Sequence, residues 1–155
     1  MRKLLLLALW PIAWESACAE MRAIQRVEKE VIVRDNRGAE TVMRRAADKV
    51  TPGETVVYSI KYENASDAPA TNVVLVMPVP KEVAYVEGSV EGAGAAIAFS
   101  ADGGATYVAR GRLTVIEDGA ARPARGDEIT HIRWTIAGPI APRGVGEISY
   151  KAVLR

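Results

Sequence analysis

Cysteine is almost missing from this chain. Among 155 residues only Cys18 carries a thiol, and His131 is the single histidine. A lone thiol closes no disulfide within the chain and builds no thiolate metal cage. The histidine has no H-x-x-x-H spacing and no acidic partners around it, so neither a zinc ligand pair nor a convergent general base is indicated. Alternation puts His131 on an outward strand face with Arg133, where an exposed surface role is expected. Long apolar runs are lacking as well. The run Leu4 to Trp14 has eleven residues, against about twenty for a span across a bilayer, so no transmembrane span is expected. Neither sign of charge dominates: 20 basic residues face 19 acidic ones. Such a balance gives no long-range field toward nucleic acid or an anionic membrane. The short basic clusters, Arg44-Arg45 and Arg110 with Arg112, are flanked by acids and read as solvated faces.

The amino terminus has a purpose of its own. Arg2 and Lys3 precede the apolar run, and Glu15-Ser16-Ala17-Cys18-Ala19 follows it. Positive charge, a short apolar core and a small-residue A-x-A site predict a secretory signal peptide over residues 1–19, cleaved after Ala19. A rival reading is a lipoprotein with Cys18 acylated; Ser16 and Ala17 suit it, but Glu15 stands where a lipobox has leucine. Cleavage would leave residues 20–155 as one domain with no thiol, destined for the periplasm or the exterior. Removing Arg2, Lys3 and Glu15 leaves 18 basic and 18 acidic residues.

What the remainder does contain is strand pattern. Thr51-Pro52-Gly53-Glu54 is a turn, and Thr55 to Glu63 then alternates with Val56, Tyr58, Ile60 and Tyr62 on one face. Asn64 to Pro69 is a polar turn cluster, and Asn72 to Met77 is a strand stopped by Pro78 and Pro80, which remove two amide donors. Arg26 to Arg34 is strand-like around Val31, Ile32 and Val33; Asp35-Asn36-Arg37-Gly38 turns it into a less regular return through Arg45. Val83 to Val86, Ala95 to Ser100 and Thr106 to Ala109 are short strands, with Gly88 to Gly94 a loop. Arg110 to Glu128 reads as a long exposed loop with one small hairpin. Ile129 to Ile136 and Val145 to Leu154 alternate cleanly. No helical period appears, so the expected fold is an all-β antiparallel sandwich. Its core is expected at Tyr58, Ile60, Leu75, Trp134, Ile148 and Tyr150, with Val56, Val73, Met77, Phe99, Ile132 and Ile136 around them.

Several of these residues carry a likeness. Thr51-Pro52-Gly53-Glu54, Tyr58, Asn64, Ala70-x-Asn72-Val73, Pro80, Tyr85 and Gly88-Ser89 resemble the conserved-repeat family of bacterial and archaeal envelope proteins, catalogued as domain of unknown function number eleven. Phe99-Ser100-x-Asp102-x-Gly104, Ile132-x-Trp134 and Pro142-x-Gly144 extend the likeness over about residues 27–154. It implies an immunoglobulin-like sandwich used as a building block at the cell surface or outer membrane, or in secreted proteins. The motifs are structural punctuation and imply no activity. Met77 departs from the family's usual Asp before the prolines, so any polar or metal role of that Asp is missing. Family members are commonly tandem repeats, whereas this chain has one copy.

Chemistry is thinly represented. Ser100-Ala101-Asp102-Gly103-Gly104-Ala105-Thr106-Tyr107 also looks like the Asp-box hairpin of sialidase propellers. One copy cannot build a propeller, so Ser100, Asp102, Gly104 and Thr106 are expected to brace a turn, with sugar or calcium contact as the alternative. Glu117, Asp118, Asp127 and Glu128 lie in loops but lack D-x-D-x-D spacing for calcium. Ser59 and Ser149 lack a G-x-S-x-G elbow. Tyr62 and Tyr85 could form an aromatic sugar platform, with core packing favoured for Tyr62. No catalytic, cofactor or metal residue is assigned. The expectation is a non-enzymatic, exported structural or adhesive module of the bacterial envelope whose partners are envelope or surface proteins, self through edge strands among them. In a sharper version, the strand at the amino terminus adds to a neighbour's sheet. The alternative is a glycan- or peptide-binding module using the Gly88–Gly94 and Arg110–Glu128 loops.

Overall fold

Thr55–Asn64 shows why this chain makes sheet. Its Val, Tyr and Ile positions prefer the pleated backbone, and Gly53, at φ +90°, supplies the left-handed turn that launches it. The computed structural model describes residues 20–155. The expected leader, residues 1–19 with Cys18, lies outside the described residues. Ten strands run in order: β1 (Met21–Arg34), β2 (Glu40–Ala46), β3 (Thr55–Asn64), β4 (Val74–Pro78), β5 (Val83–Tyr85), β6 (Ala95–Ser100), β7 (Thr114–Glu117), β8 (Ala120–Pro123), β9 (His131–Ile136) and β10 (Val145–Leu154). Two short 3-10 turns, Arg110–Arg112 and Gly126–Glu128, are the only helical segments described. The protein is all-β and every strand pairing is antiparallel. No described helix is long and apolar enough to cross a membrane.

A five-stranded sheet in the order β2-β1-β3-β10-β5 packs against a three-stranded sheet in the order β4-β9-β6; β7 and β8 form a separate hairpin. The core lies between the two larger sheets. Ile60, Ile148 and Tyr150 enter it from one side, and Met77, Phe99, Ile132 and Trp134 from the other, all of them buried. Tyr58 and Leu75 are only partly buried and pack on its margin. Tyr58 stacks on Tyr150 with ring centroids 5.0 Å apart, and Tyr85 meets Phe99 at 5.5 Å. The Tyr150 hydroxyl donates to the Pro78 carbonyl at 2.7 Å, tying β10 to β4 across the layers. Burying Trp134 completely is worth about 3–5 kcal/mol against alanine, and its indole N–H is satisfied by the Glu91 carbonyl at 3.0 Å.

Several details differ from the strand pattern read above. Strand β1 begins at Met21 and is fourteen residues long. Its first half pairs with β3 and its second half with β2, so both of its edges are used. Val31–Val33 pairs with β2 of its own sheet, and the ladder with β3 stops at Lys29, before this segment. The return strand β2 is regular, with an unbroken register from Arg34↔Glu40 to Glu28↔Ala46. Thr106 to Ala109 is no ladder strand; a single bridge, Phe99↔Val108, replaces it. Strand β3 is buried on both faces, since Val57 and Ser59 are as hidden as Val56 and Ile60. Three places from β10 in sheet order, about 14 Å in a flat sheet, Arg44 of β2 nonetheless comes within 3.6 Å of Glu147 on β10. The β1–β2 hairpin therefore curls over the outer face of the five-stranded sheet.

Candidate functional site

The Asp102 turn is built by its own side chains. Asp102 Oδ1 accepts from Ser100 Oγ at 2.6 Å and from Thr106 N at 3.0 Å, and Oδ2 accepts from Thr106 Oγ1 at 2.6 Å. Ser100 Oγ in turn accepts from Gly104 N at 2.9 Å. The Ser100 hydroxyl, then the Thr106 donors, hold the Asp102 carboxyl well below the ordinary carboxylate range. Gly103 and Gly104 adopt φ of +76° and +89°, which only glycine takes without strain. A β-carbon on Gly104 would also come within 3.0 Å of Tyr107 Oη. The four residues thus converge on one another, and the carboxylate oxygens are engaged within the turn.

This turn folds back over the outward face of β9, which changes the surroundings of His131. The ring is half-buried, with Nδ1 3.2 Å from Thr130 Oγ1. Beside it the Arg133 guanidinium lies 4.4 Å from the Tyr107 ring centre, a cation–π contact. A fully exposed histidine is corrected: alternation gives the face but not the loop that returns to cover it.

Between Arg110 and Glu128 two arginines do the organising. Arg110 donates to Glu87 at 3.0 Å and to the Ala124 carbonyl at 2.7 Å, joining three separate segments. Arg122 bridges Glu117 and both oxygens of Glu128, the latter at 2.6 and 2.7 Å. Arg122, followed by the Arg125 amide, lowers the Glu128 carboxyl to about 2; Arg122 also lowers Glu117. These acids therefore surround a guanidinium. Among the described residues no group of three His, Cys, Asp or Glu side chains could hold a metal ion. Leu113 and Ala124 are buried, so the segment expected as an exposed loop is anchored at both ends of its β7–β8 hairpin. A groove of about 300 Å³ runs between Asp102 and Leu113–Ile116.

The other expected recognition loop is pinned as well. Glu91 exchanges backbone bonds with Ser149 at 2.8 and 3.1 Å. Gly92 sits so close to Trp134 that a β-carbon would fall 2.7 Å from the indole. Tyr62 and Tyr85 are both buried, which corrects the aromatic platform. Asn64 does more than open the polar turn cluster. It is fully buried, and its amide nitrogen is shared among the carbonyls of Ala68, Ile140 and Ala141 at 2.8–3.2 Å.

Open surface lies elsewhere. On the outer face of the five-stranded sheet a depression of about 730 Å³ exposes Ile24 and Val145. The curled hairpin exposes Ile32, Val42 and Met43, at 65%, 60% and 46%. Edge strand β4 exposes Val74 and Val76 but ends at Pro78. Comparison with models of known protein families, with curated proteins and with solved structures gives no match.

Proposed function

We propose that the chain is a non-enzymatic structural or adhesive module of the bacterial cell envelope, an immunoglobulin-like sandwich exported by a leader that is cleaved after Ala19, acting through contacts with other proteins. The observation that carries this reading is the distribution of groups. Carboxylates and guanidinium groups that could act on a ligand are bound into turns around Asp102 and Arg122. Large apolar side chains are left exposed on sheet edges and outer faces, at Ile24, Ile32, Val42, Val74 and Val145. Clustered exposed apolar residues and open strand edges are what protein partners engage. The charge pattern and A-x-A site of residues 1–19 support export. The likeness to the conserved-repeat envelope family points to the same setting.

Fractionating cells that express the chain, with a mass measurement of its amino terminus, tests the location. A product beginning at Glu20 in the envelope or medium is expected; cytosolic product retaining residues 1–19 refutes the proposal. Photo-crosslinkers placed at Val42 and Val76 should trap protein adducts in the same cells, and absence of adducts from both positions would refute the contact role. The groove beside Asp102 favours the loop-recognition alternative, yet its lining is braced by the turn. Substitution of exposed Thr114 and Ile116 beside this groove should therefore leave envelope association unchanged.

A further inference from the structure

The open edge of β2 carries more than exposed apolar residues. In the β1–β2 hairpin Asp35 N donates to the Ala39 carbonyl. Hydrogen-bonded pairs then recur at every second residue, Val33↔Thr41 and Val31↔Met43. Glu40, Val42 and Arg44 accordingly turn their N–H and C=O groups away from β1, toward the free edge. This edge lacks two of the usual guards: no proline interrupts β2 and no bulge breaks its register. Its only guard is charge, and the charges are arranged symmetrically about Val42, as Glu40-Thr41-Val42-Met43-Arg44.

We propose that the partner at β2 is a second copy of this chain, joined through antiparallel pairing of the two β2 strands about a twofold axis at Val42. The proposal deepens the contact reading above and rests on it. Centred on Val42, the pairing sets Glu40 of each copy opposite Arg44 of the other and Val42 opposite Val42. All three positions present the backbone groups that such a ladder needs. Each outer row of the joined sheet then alternates in sign, since Arg34 lies beside Glu40 and Glu30 beside Arg44 within each copy. The central row is four apolar side chains, Ile32 and Val42 from each copy. Opposite charges and β-branched pairs facing one another stabilise strand pairing. Shifting the centre to Met43 puts Val42 opposite Arg44 and loses both ion pairs; centring on Thr41 puts Glu40 opposite Val42. Parallel pairing sets like charges side by side. Arg44 makes two loose ion pairs within its own chain, to Glu147 and Glu91 at 3.6 and 3.9 Å, and donates no side-chain hydrogen bond to either, so its guanidinium has donors left for Glu40 of the second copy.

Sedimentation velocity over a concentration series tests this with four forms of the purified chain. The unaltered protein should be a dimer. Val42→Pro removes an N–H that faces the open edge and none that pairs with β1, so the circular dichroism spectrum should stay unchanged. Losing two reciprocal bonds should raise the dissociation constant roughly thirtyfold. Glu40→Arg and Arg44→Glu, each alone, should be monomeric, since each places like charges opposite one another. Mixed together they should form a heterodimer, because every opposing pair is then complementary. A monomeric unaltered protein overturns the proposal, as does a dimer indifferent to all three substitutions or a failure of the two charge variants to pair. The envelope reading fails separately: a cytosolic dimer sinks it and leaves the pairing. A monomer crosslinked to another envelope protein sinks the pairing and leaves the envelope reading.

Discussion

Replacing Tyr150 with phenylalanine should isolate one bond that joins the two layers. The side chain is fully buried, stacked on Tyr58 with an angle of 9° between rings, and 6.5 Å from the ring of Tyr85. Phenylalanine keeps that packing and removes only the hydroxyl, which donates to the Pro78 carbonyl at 2.7 Å. The expected loss is about 1–2 kcal/mol, or a fall in Tm of about 3–8 °C. Tyr150→Ala also empties the ring site and should cost about 3–5 kcal/mol. Urea unfolding of the three proteins gives the comparison. Burial raises the Tyr150 phenol above its ordinary value, with Tyr58 adding to it. A raised value means that the fold favours the neutral phenol, so its contribution is complete below about pH 10 and is lost as pH rises further. The unaltered protein should thus lose stability in alkali more steeply than Tyr150→Phe. Equal stability of the phenylalanine variant, or an alanine variant no worse than it, would refute the assignment of bond and ring.

Other consequences are separable. Asn64→Ala strands carbonyls of the turn after β3 and of the crossing before β10, and should cost about 2–4 kcal/mol by urea unfolding. Gly146→Ala in β10 drives a methyl into the Tyr62 ring of β3, an overpacking cost of about 1–3 kcal/mol that Tyr62→Leu should partly relieve. Asp102, Glu117 and Glu128 are all depressed, Glu128 to about 2. Their contribution is present above the unfolded carboxylate range near pH 4 and is lost as pH falls toward 2, so the urea midpoint should drop below about pH 4. Asp102→Asn and Glu128→Gln should each flatten that drop, and an acid-insensitive midpoint would contradict the geometry. Arg122→Met should expose Thr114–Pro123 to proteolysis while leaving the core signal of Trp134 fluorescence intact.

Period-two alternation made the all-β class and the central strands readable, because Val56, Ile60, Ile132, Trp134, Ile148 and Tyr150 each announce one buried face. Turn chemistry made Asp35–Gly38 and Ser100–Thr106 readable for a local reason: Asp and Ser brace amides two to four residues away. Whatever depended on distant segments was not legible. Val57 and Ser59 look outward by period yet are as hidden as the core face, a burial that period two does not announce. Asn64 reads as a turn residue until residues 140 and 141 arrive beside it, 76 and 77 positions later. Arg122 between Glu117 and Glu128 reads as scattered charge, since spacing alone does not bring two carboxylates onto one guanidinium.

Stability and the proposed contact fall on different strands in this protein. The core centred on Trp134 and Tyr150 takes nothing from β2, where all seven residues are exposed. Substitutions at Val42 or Glu40 therefore leave the packed layers untouched, whereas the same changes in β3 or β9 would unfold them. A strand so poorly buried adds little to its own sheet beyond the ladder with β1, yet its register is unbroken and its charges mirror one another about Val42. A purely structural edge would need neither that order nor exposed Ile32 and Val42 in place of lysine or proline. The symmetry is accounted for when the strand faces another like itself.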